Sequence, residues 1–367
     1  QNSVGGLVGF SSYGTYLNCY AVGYINGVYF DSIGALVGSF LHSGIEGCYW
    51  NTDTSGRGQG LGGIYPDPEG VTGLDDPNMM IQANFVGWDF VDEEENGTED
   101  IWFIPLGGGY PELIWQRKPI PFTGMGTPEN PYRIGTADEL LQIKDFPEEY
   151  DKHFILVNDI DMSLEGPFTE AIIAPDTDNT NSTFEGIPFT GSFDGQGYSI
   201  DGLAITGGSN DFIGLFGQVG KSVLPQVLGY VKNLEMMNCN IRGDRYVGGL
   251  AAQIQPGVIS NCYVTGEVFG SYWTGGLAGY VQGISSVISK CYATCNVSGT
   301  WPWSIGGLIG HNQSIVSNCY ATGDVTGYYY IGGLAGQNHG TLLNCYATGA
   351  VSGVSGDHDI GGLVGYW

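Results

Sequence analysis

The sequence predicts an all-β protein, a right-handed parallel β-helix with small capping segments that include one short helix. Three observations predict this fold. A glycine-flanked apolar block recurs along the chain, a Cys-Tyr motif recurs between the blocks, and no helical pattern interrupts these units. Alternating residues within a unit would place an apolar face inward, and only stacking of neighbouring units could bury that face.

The apolar block reads Val-Gly-Gly-Leu-Val-Gly where it first occurs. It starts at residues 4, 33, 247, 274, 305, 331 and 360, with a shortened form at 213–217. Subtraction of the last five starts gives a period of 26 to 31 residues, which predicts one coil per unit and a rise of about 4.8 Å per coil.

The cysteines follow the same repeat. The chain contains Cys19, Cys48, Cys239, Cys262, Cys291, Cys295, Cys319 and Cys345. We expect seven of them to share one inward position and to stack as free, buried thiols, because parallel neighbours point alike rather than toward each other. Cys295 is the exception, since it replaces the glycine of the Tyr-Ala-Thr-Gly pattern. A Cys291–Cys295 disulfide stays open as an alternative.

The blocks and the Asn-Cys-Tyr motifs at 18–20, 261–263, 318–320 and 344–346 resemble GLUG-motif repeats. Such repeats occur in large bacterial surface proteins, including adhesins and the non-catalytic parts of some surface proteases. The resemblance covers residues 1–50 and 205–367. It implies a β-helix in an extracellular or cell-surface setting, and it implies no particular reaction.

Four segments follow from this organisation. Residues 1–50 are coils of the kind that end a β-helix, and by resemblance residues 51–118 close it. Residues 119–204 form a Pro- and Gly-rich linker and an opening cap, in which Thr136 and Glu139 predict the capping box of the short helix. Residues 205–367 form the GLUG-repeat β-helix.

The charge of the chain limits its partners. The formal net charge is −27 with only 11 Lys and Arg residues, which argues against nucleic acid and anionic membrane surfaces. The sequence has no apolar run long enough to cross a bilayer. We expect no enzymatic activity and no cofactor. Alternating oxygen-bearing side chains at Asp176 and Asp178 predict a surface Ca²⁺ site, with an ordinary polar loop as the alternative.

The two ends of the sequence lack caps, so we expect either a longer array or head-to-tail stacking of copies into a filament or surface matrix. The residues expected to form that contact are Val4, Leu7, Val8, Ile360, Leu363, Val364, Tyr366 and Trp367.

An adhesin that binds glycans is the alternative function. Aromatic residues replace the turns of successive coils and could stack on sugars or pack on the solenoid's own flank, namely Trp273, Trp301, Trp303, Tyr328 and Tyr329. A polysaccharide-degrading β-helix is a third hypothesis, although turn formation explains the carboxylates Asp159, Asp161, Asp194 and Asp201. N-glycosylation sequons occur at Asn96, Asn181, Asn296 and Asn312.

Two further motifs have simpler explanations. Arg242-Gly-Asp244 spells an integrin-type tripeptide, but turn chemistry accounts for it. The five histidines, the last of which is His358, lie apart in the sequence, with no spacing that suggests a catalytic triad.

Overall fold

The computed structural model describes residues 3–27, 32–91, 93, 95–105, 108–179, 181–300, 303–354 and 359–367. The chain divides into two compact units, Gln1–Pro119 and Ile120–Trp367. In both units short strands stack in parallel from coil to coil, which confirms the predicted parallel β-helix.

Four sheets, named A to D here, form the second unit. Sheet A contains Tyr132–Ile134, His153–Leu156, Ser192–Asp194, Gly229–Lys232, Gly257–Ser260, Val287–Ser289, Ile315–Ser317 and Thr341–Leu343. Sheet B contains Ile160–Asp161, Ser199–Asp201, Ala204–Thr206, Glu235–Arg242, Tyr263–Gly270, Tyr292–Ala293, Asn296–Gly299, Tyr320–Ala321, Val325–Gly327, Tyr346–Ala347 and Val351–Gly353.

The other two sheets come from the apolar blocks. Sheet C contains Val247–Gly248, Thr274–Gly275, Ser304–Gly306, Tyr329–Gly332 and Ile360–Gly361. Sheet D contains Phe216–Val219, Ala251–Ile254, Ala278–Val281, Ile309–Asn312, Ala335–Asn338 and Val364–Tyr366. One coil therefore runs through sheets A, B, C and D in that order.

The glycines of the block let the chain bend between sheets C and D. The leucine at each bend points inward and is almost completely buried, as for Leu277, Leu308 and Leu334. The glycine before it has no room for a side chain, since a Cβ on Gly333 would collide with the carbonyl oxygen of Gly362 on the next coil. The repeated Gly-Gly-Leu thus sets the close approach of successive coils.

Left-handed residues make the corner between sheets A and B. Asn261, Asn318 and Asn344 have φ angles of 53°, 55° and 53°, and Lys290 occupies the same position with φ 55°. Asparagine tolerates this conformation better than other non-glycine residues do, which explains its recurrence before the Cys-Tyr motif.

The opening of the second unit already belongs to the stack, because its parallel pairing begins at Tyr132–Ile134. The predicted helix is present at Ala137–Gln142, followed by 3-10 turns at Ile143–Asp145 and Pro147–Glu149. Thr136 caps the helix by accepting a bond from the Glu139 N–H. Glu139 accepts from the N–H of Gly135 rather than from that of Thr136, so the capping box is displaced by one residue.

The first unit contains two coils and an irregular aromatic cluster. Its parallel pairs are Ser3–Gly5 with Ser32–Gly34, Val8–Ser12 with Val37–Leu41, Thr15–Leu17 with Gly44–Glu46, and Tyr20–Ala21 with Cys48–Asn51 and then Val71–Leu74. Trp102–Phe103 pairs antiparallel with Glu112–Leu113. A short helix at Thr52–Ser55 and 3-10 turns at Asn78–Met80, Gln82–Asn84 and Ile114–Gln116 complete it. Its cluster is formed by Tyr49, Met79, Phe85, Trp88 and Phe90.

Candidate functional site

The Cys-Tyr motifs form two ladders on sheet B. The rings of Tyr263, Tyr292, Tyr320 and Tyr346 stack on neighbouring coils with centroid distances of 4.7, 4.7 and 4.9 Å and nearly parallel planes. The cysteines that precede them form the inward ladder, in which the Cys319 Sγ accepts a hydrogen bond from the Cys291 N–H at 3.4 Å. This geometry confirms the predicted column of cysteines.

The thiols are packing groups rather than reactive ones. All eight cysteines are free, including Cys291 and Cys295, so the alternative disulfide is absent from the structure. Hydrogen bonding to Cys291, together with burial, raises the pKa of Cys319 to about 12, and burial raises that of Cys48 to about 11. A thiol that stays protonated is a poor nucleophile.

The prediction that Cys239 belongs to the same column was wrong. Glu235 pairs with Tyr263, so Leu234 rather than Cys239 is the equivalent of Cys262. Beyond a bulge between Met236 and Cys239, Cys239 pairs with Gly266. Because Glu267 pairs with Asn296, Gly266 is equivalent to Cys295. Cys239 and Cys295 therefore share a second inward column, separated by a glycine.

A second set of aromatic rings lines the corner that leads into sheet C. Phe212 stacks on Tyr246 at 4.4 Å with planes 6° apart, and Tyr246 lies 4.7 Å from Trp273. These three residues have φ angles of 54°, 53° and 31°, which bulky side chains adopt only when their surroundings hold them there. Each ring packs against the neighbouring rings, so these three side chains contact one another along the flank.

The rings predicted to contact glycans have different environments. Trp273 is half-buried, and its ring also stacks on Tyr280 at 5.8 Å. Trp303 is 39% exposed and Tyr329 36% exposed, whereas Tyr328 is half-buried. Trp301 lies outside the described residues.

An open cleft of about 440 Å³, called the glutamine cleft here, lies beside the stacked rings. The outward side chains of three neighbouring strands of sheet D form its floor, namely Gln218, Gln253 and Tyr280. Phe184, Phe212, Tyr246, Lys221, Ser222, Gln255 and Gln282 line its walls, among other residues. This cleft was not predicted from the sequence, although glutamine recurs just after the apolar blocks.

The side chains of the glutamine cleft are held in place by each other. Gln253 donates from Nε2 to the Oε1 of Gln255 at 2.7 Å, and Gln255 donates to the Ser222 hydroxyl at 2.9 Å. Gln218 donates to the carbonyl of Gly220 at 2.9 Å. Burial raises the pKa of Tyr246 to about 12, so its hydroxyl stays protonated at neutral pH.

The carboxylates considered for catalysis are held by hydrogen bonds within turns or between coils. Asp159 accepts from the Ser199 N–H, Asp161 from the Ser163 N–H, and Asp201 from the amide of Asn238. Asp194 accepts from Gln196 and Asn233 and pairs with Lys232 at 3.2 Å. Each therefore has a structural partner.

The predicted Ca²⁺ loop contains one buried carboxylate. Asp176 is 5% exposed; its Oδ1 accepts from the Glu185 N–H, and its Oδ2 has no hydrogen-bond partner. Asp178 is half-buried. Within the part of the chain that the structure describes, no group of three or more His, Cys, Asp or Glu could hold a metal ion. Ca²⁺ binding by Asp176 and Asp178 stays a prediction.

Three of the four predicted glycosylation sites are accessible. Asn96, Asn181 and Asn296 are exposed. Asn312 is completely buried, and its Nδ2 donates to the Ser314 carbonyl and to Asn338 Oδ1. The prediction for Asn312 was therefore wrong, because its amide belongs to an inward asparagine ladder.

Two other motifs lie within the coils. Arg242 of the integrin-type tripeptide pairs with Glu267 at 3.3 Å, and the Asp244 carbonyl accepts from Ser271 and Tyr272. His311 and His339 are brought together on neighbouring coils, with ring centroids 5.2 Å apart. Burial lowers the pKa of His311 to about 4. His358 lies outside the described residues.

The residues predicted for end-to-end assembly are more exposed than their equivalents in inner coils. Leu7 is 39% exposed, while the equivalent Leu36 is buried, and Val4 and Val8 are half-buried. On the last coil, exposed side chains are Ile360, Leu363, Tyr366 and Trp367, and Val364 is half-buried.

These features define a protein with a parallel β-helix fold built from repeated coils. The model of the GLUG motif matches residues 302–326 and 327–352, which confirms the resemblance predicted from the sequence.

Two relatives are 35% identical to parts of this chain. One is halomucin of Haloquadratum walsbyi, aligned over 48% of this chain and 2% of halomucin. The other is described as a Gly-rich membrane protein of Evansella cellulosilytica, aligned over 38% of this chain and 15% of that protein. The chain thus spans a small part of either relative.

Among solved structures, a protein described as an immunoglobulin A1 protease of Bacteroides ovatus is similar to this chain. It is 19% identical with a TM-score of 0.45, and the match covers 65% of this chain and 86% of that one. No helix in the described residues is long and apolar enough to cross a membrane.

Proposed function

We propose that this chain is a rigid structural segment of a cell-surface or extracellular protein. The observation that carries the proposal is the continuous parallel pairing of sheets A to D, in which like residues stack on successive coils. Such a stack is built from nearest-neighbour contacts, so its length is set by the number of coils. The names of the two relatives and the high negative charge support a surface location.

Removal of one coil tests this role. Deletion of residues 319–344 joins Asn318 to Cys345 and restores the Asn-Cys-Tyr-Ala-Thr-Gly sequence. We expect the variant to fold and its largest dimension in X-ray scattering to shrink by about 4.8 Å, one inter-strand spacing.

The matched control removes residues 319–331, which joins the corner before sheet B directly to the end of a sheet C strand. This deletion should lose the β-sheet circular dichroism of the final coils. Equal tolerance of both deletions would refute a role that depends on coil register.

Protease accessibility on intact source cells tests the surface location, and a protected chain would contradict it.

Head-to-tail assembly into a filament is the finer form of the proposal. Its support is the exposed apolar surface of the final coil, where Ile360, Leu363 and Trp367 have no covering strand among the described residues. We expect fibres in electron micrographs of the concentrated protein, and Leu363→Lys should abolish them. A monodisperse monomer in light scattering would contradict assembly and would favour continuation of the stack within one polypeptide.

Glycan contact through the aromatic flank is the second candidate, favoured by the exposure of Trp303. We expect glycan-array signals that fall when Trp301 and Trp303 are replaced by alanine. An array on which the chain binds nothing would end this hypothesis.

A further inference from the structure

We propose that the glutamine cleft binds a short neutral saccharide. The inference goes beyond the structural role and uses residues other than the exposed rings of the flank. It rests on the size of the cleft, on the kind of polar groups that line it, and on the pairing of both edges of its floor strand, Phe216–Val219.

The size of the cleft fits a ligand of one or two sugar rings. Its volume of about 440 Å³ falls within the range of small-molecule sites in proteins. The floor is a regular sheet, so Gln218, Gln253 and Tyr280 present their outward side chains at one inter-strand spacing, which is close to the length of one sugar unit along an extended chain.

The polar groups match sugar hydroxyls, which both donate and accept hydrogen bonds. The amides of Gln218 and Gln253 are fixed through Nε2, and neither Oε1 accepts a bond from the described residues. The hydroxyls of Tyr246 and Tyr280 likewise make no hydrogen bond with the described part of the chain. Four oriented polar atoms thus face a cleft that is held in place before any ligand binds.

The charge of the lining favours a neutral ligand. The chain has 38 Asp and Glu residues, yet none of the residues lining the cleft carries a carboxylate, and Lys221 is the lone cation among them. Amide and hydroxyl groups discriminate by hydrogen-bond geometry without an ion pair, whereas an acidic ligand would call for several cations.

The floor does not suit an extended peptide. Peptides that add to a sheet need an unpaired strand edge. Phe216–Val219 pairs with Ala251–Ile254 on one side and makes parallel bridges to Ile173 and Phe189 on the other. The backbone groups at the floor are therefore occupied, and recognition falls to side chains.

Titration of the full chain with gluco-, galacto- and manno-oligosaccharides, and with their uronate counterparts, tests the inference by calorimetry. We expect at least one neutral series to bind. Gln253→Leu and Tyr280→Phe should each weaken that binding by about tenfold, since each removes one polar partner from the cleft. Tyr280→Phe keeps the ring and its packing, so it tests the hydroxyl without disturbing the fold.

Gln337→Leu is the matched control, because Gln337 occupies the same column of sheet D on a later coil outside the cleft. It should leave affinity unchanged. The inference is overturned if no neutral oligosaccharide binds, if only the uronates bind, if Gln337→Leu weakens binding as much as Gln253→Leu, or if Trp303→Ala alone abolishes it.

Discussion

Two regions of the second unit fill the same inward position of sheet A in different ways. The opening coils contain the sheet A strands from Tyr132–Ile134 to Ser192–Asp194, and the repeat coils contain those from Gly229–Lys232 onward. Along sheet A this column reads Tyr132, Phe154, Phe193, Val231, Ile259, Ile288, Val316 and Leu342. The opening coils bury large rings, which pack against further rings such as Phe189 and Phe216. The repeat coils bury aliphatic residues and cysteines of nearly constant size. A uniform column permits identical coils, whereas a column of rings requires a separate arrangement for each coil.

The largest expected effect lies in the opening coils. Phe193→Ala should lower the free energy of unfolding by about 3–5 kcal/mol, because Phe193 is completely buried between Phe154 and Phe216. The equivalent change in the repeat coils, Val316→Ala, should cost about half as much. Urea unfolding followed by circular dichroism measures both, and equal losses would remove the distinction between the two regions.

The repeat coils should instead be sensitive to added volume. Gly333→Ala should cost about 1–3 kcal/mol, because its new Cβ would meet the Gly362 carbonyl of the next coil. Gly362 has the same place in the final block, and no atom of the described residues lies within 4 Å of its added Cβ, so Gly362→Ala should cost almost nothing. If Gly333→Ala left the melting temperature unchanged, the coils would approach each other less closely than the structure shows.

A buried carboxyl at the boundary between the two regions should make stability depend on pH. Burial, aided by the charges of Asp244 and Asp176 and opposed by Arg245, raises the pKa of Asp211 from 3.8 to about 6. The Asp211 carboxyl therefore binds its proton more tightly in the folded state than in the unfolded state. This contribution to stability is present at pH 4 and is lost as the pH rises through about 6.

Asp211→Asn isolates that contribution, since the amide oxygen can still accept from the Arg245 N–H. Between pH 7 and pH 4 the unmodified chain should gain about 2 kcal/mol relative to the variant, as measured by urea unfolding. Parallel pH profiles for the two proteins would show that Asp211 ionises normally.

The smallest expected effect concerns Lys290, which interrupts the series of asparagines at the corner between sheets A and B. Asn344 donates to Asn318, and Asn261 donates to Asn233, but Lys290 breaks the series in the left-handed conformation. Lys290→Asn should stabilise the chain by about 0.5–1 kcal/mol. The gain should appear as a higher melting temperature, and a lower one would mean that Lys290 makes a contact worth more than the ladder.

The same contrast explains what could be predicted from the sequence. The Gly-Gly-Leu blocks and Cys-Tyr motifs predicted the coils and the cysteine column, because each is a local pattern repeated at a fixed period. The helix after Thr136 was predicted from a local capping signal. The pairing of Cys239 with Gly266 and the burial of Asn312 depend on register between coils, which one coil's residues do not encode. The glutamine cleft joins segments far apart in the chain, so only the fold brings its walls together.

A crystal structure of the chain is the most direct test of the stacked-coil account. It should show the rings of Tyr263, Tyr292, Tyr320 and Tyr346 in one column at centroid spacings of 4.7–4.9 Å, with the preceding cysteines inward on adjacent strands. Tyrosines separated by more than one inter-strand distance, or their cysteines pointing to solvent, would contradict it.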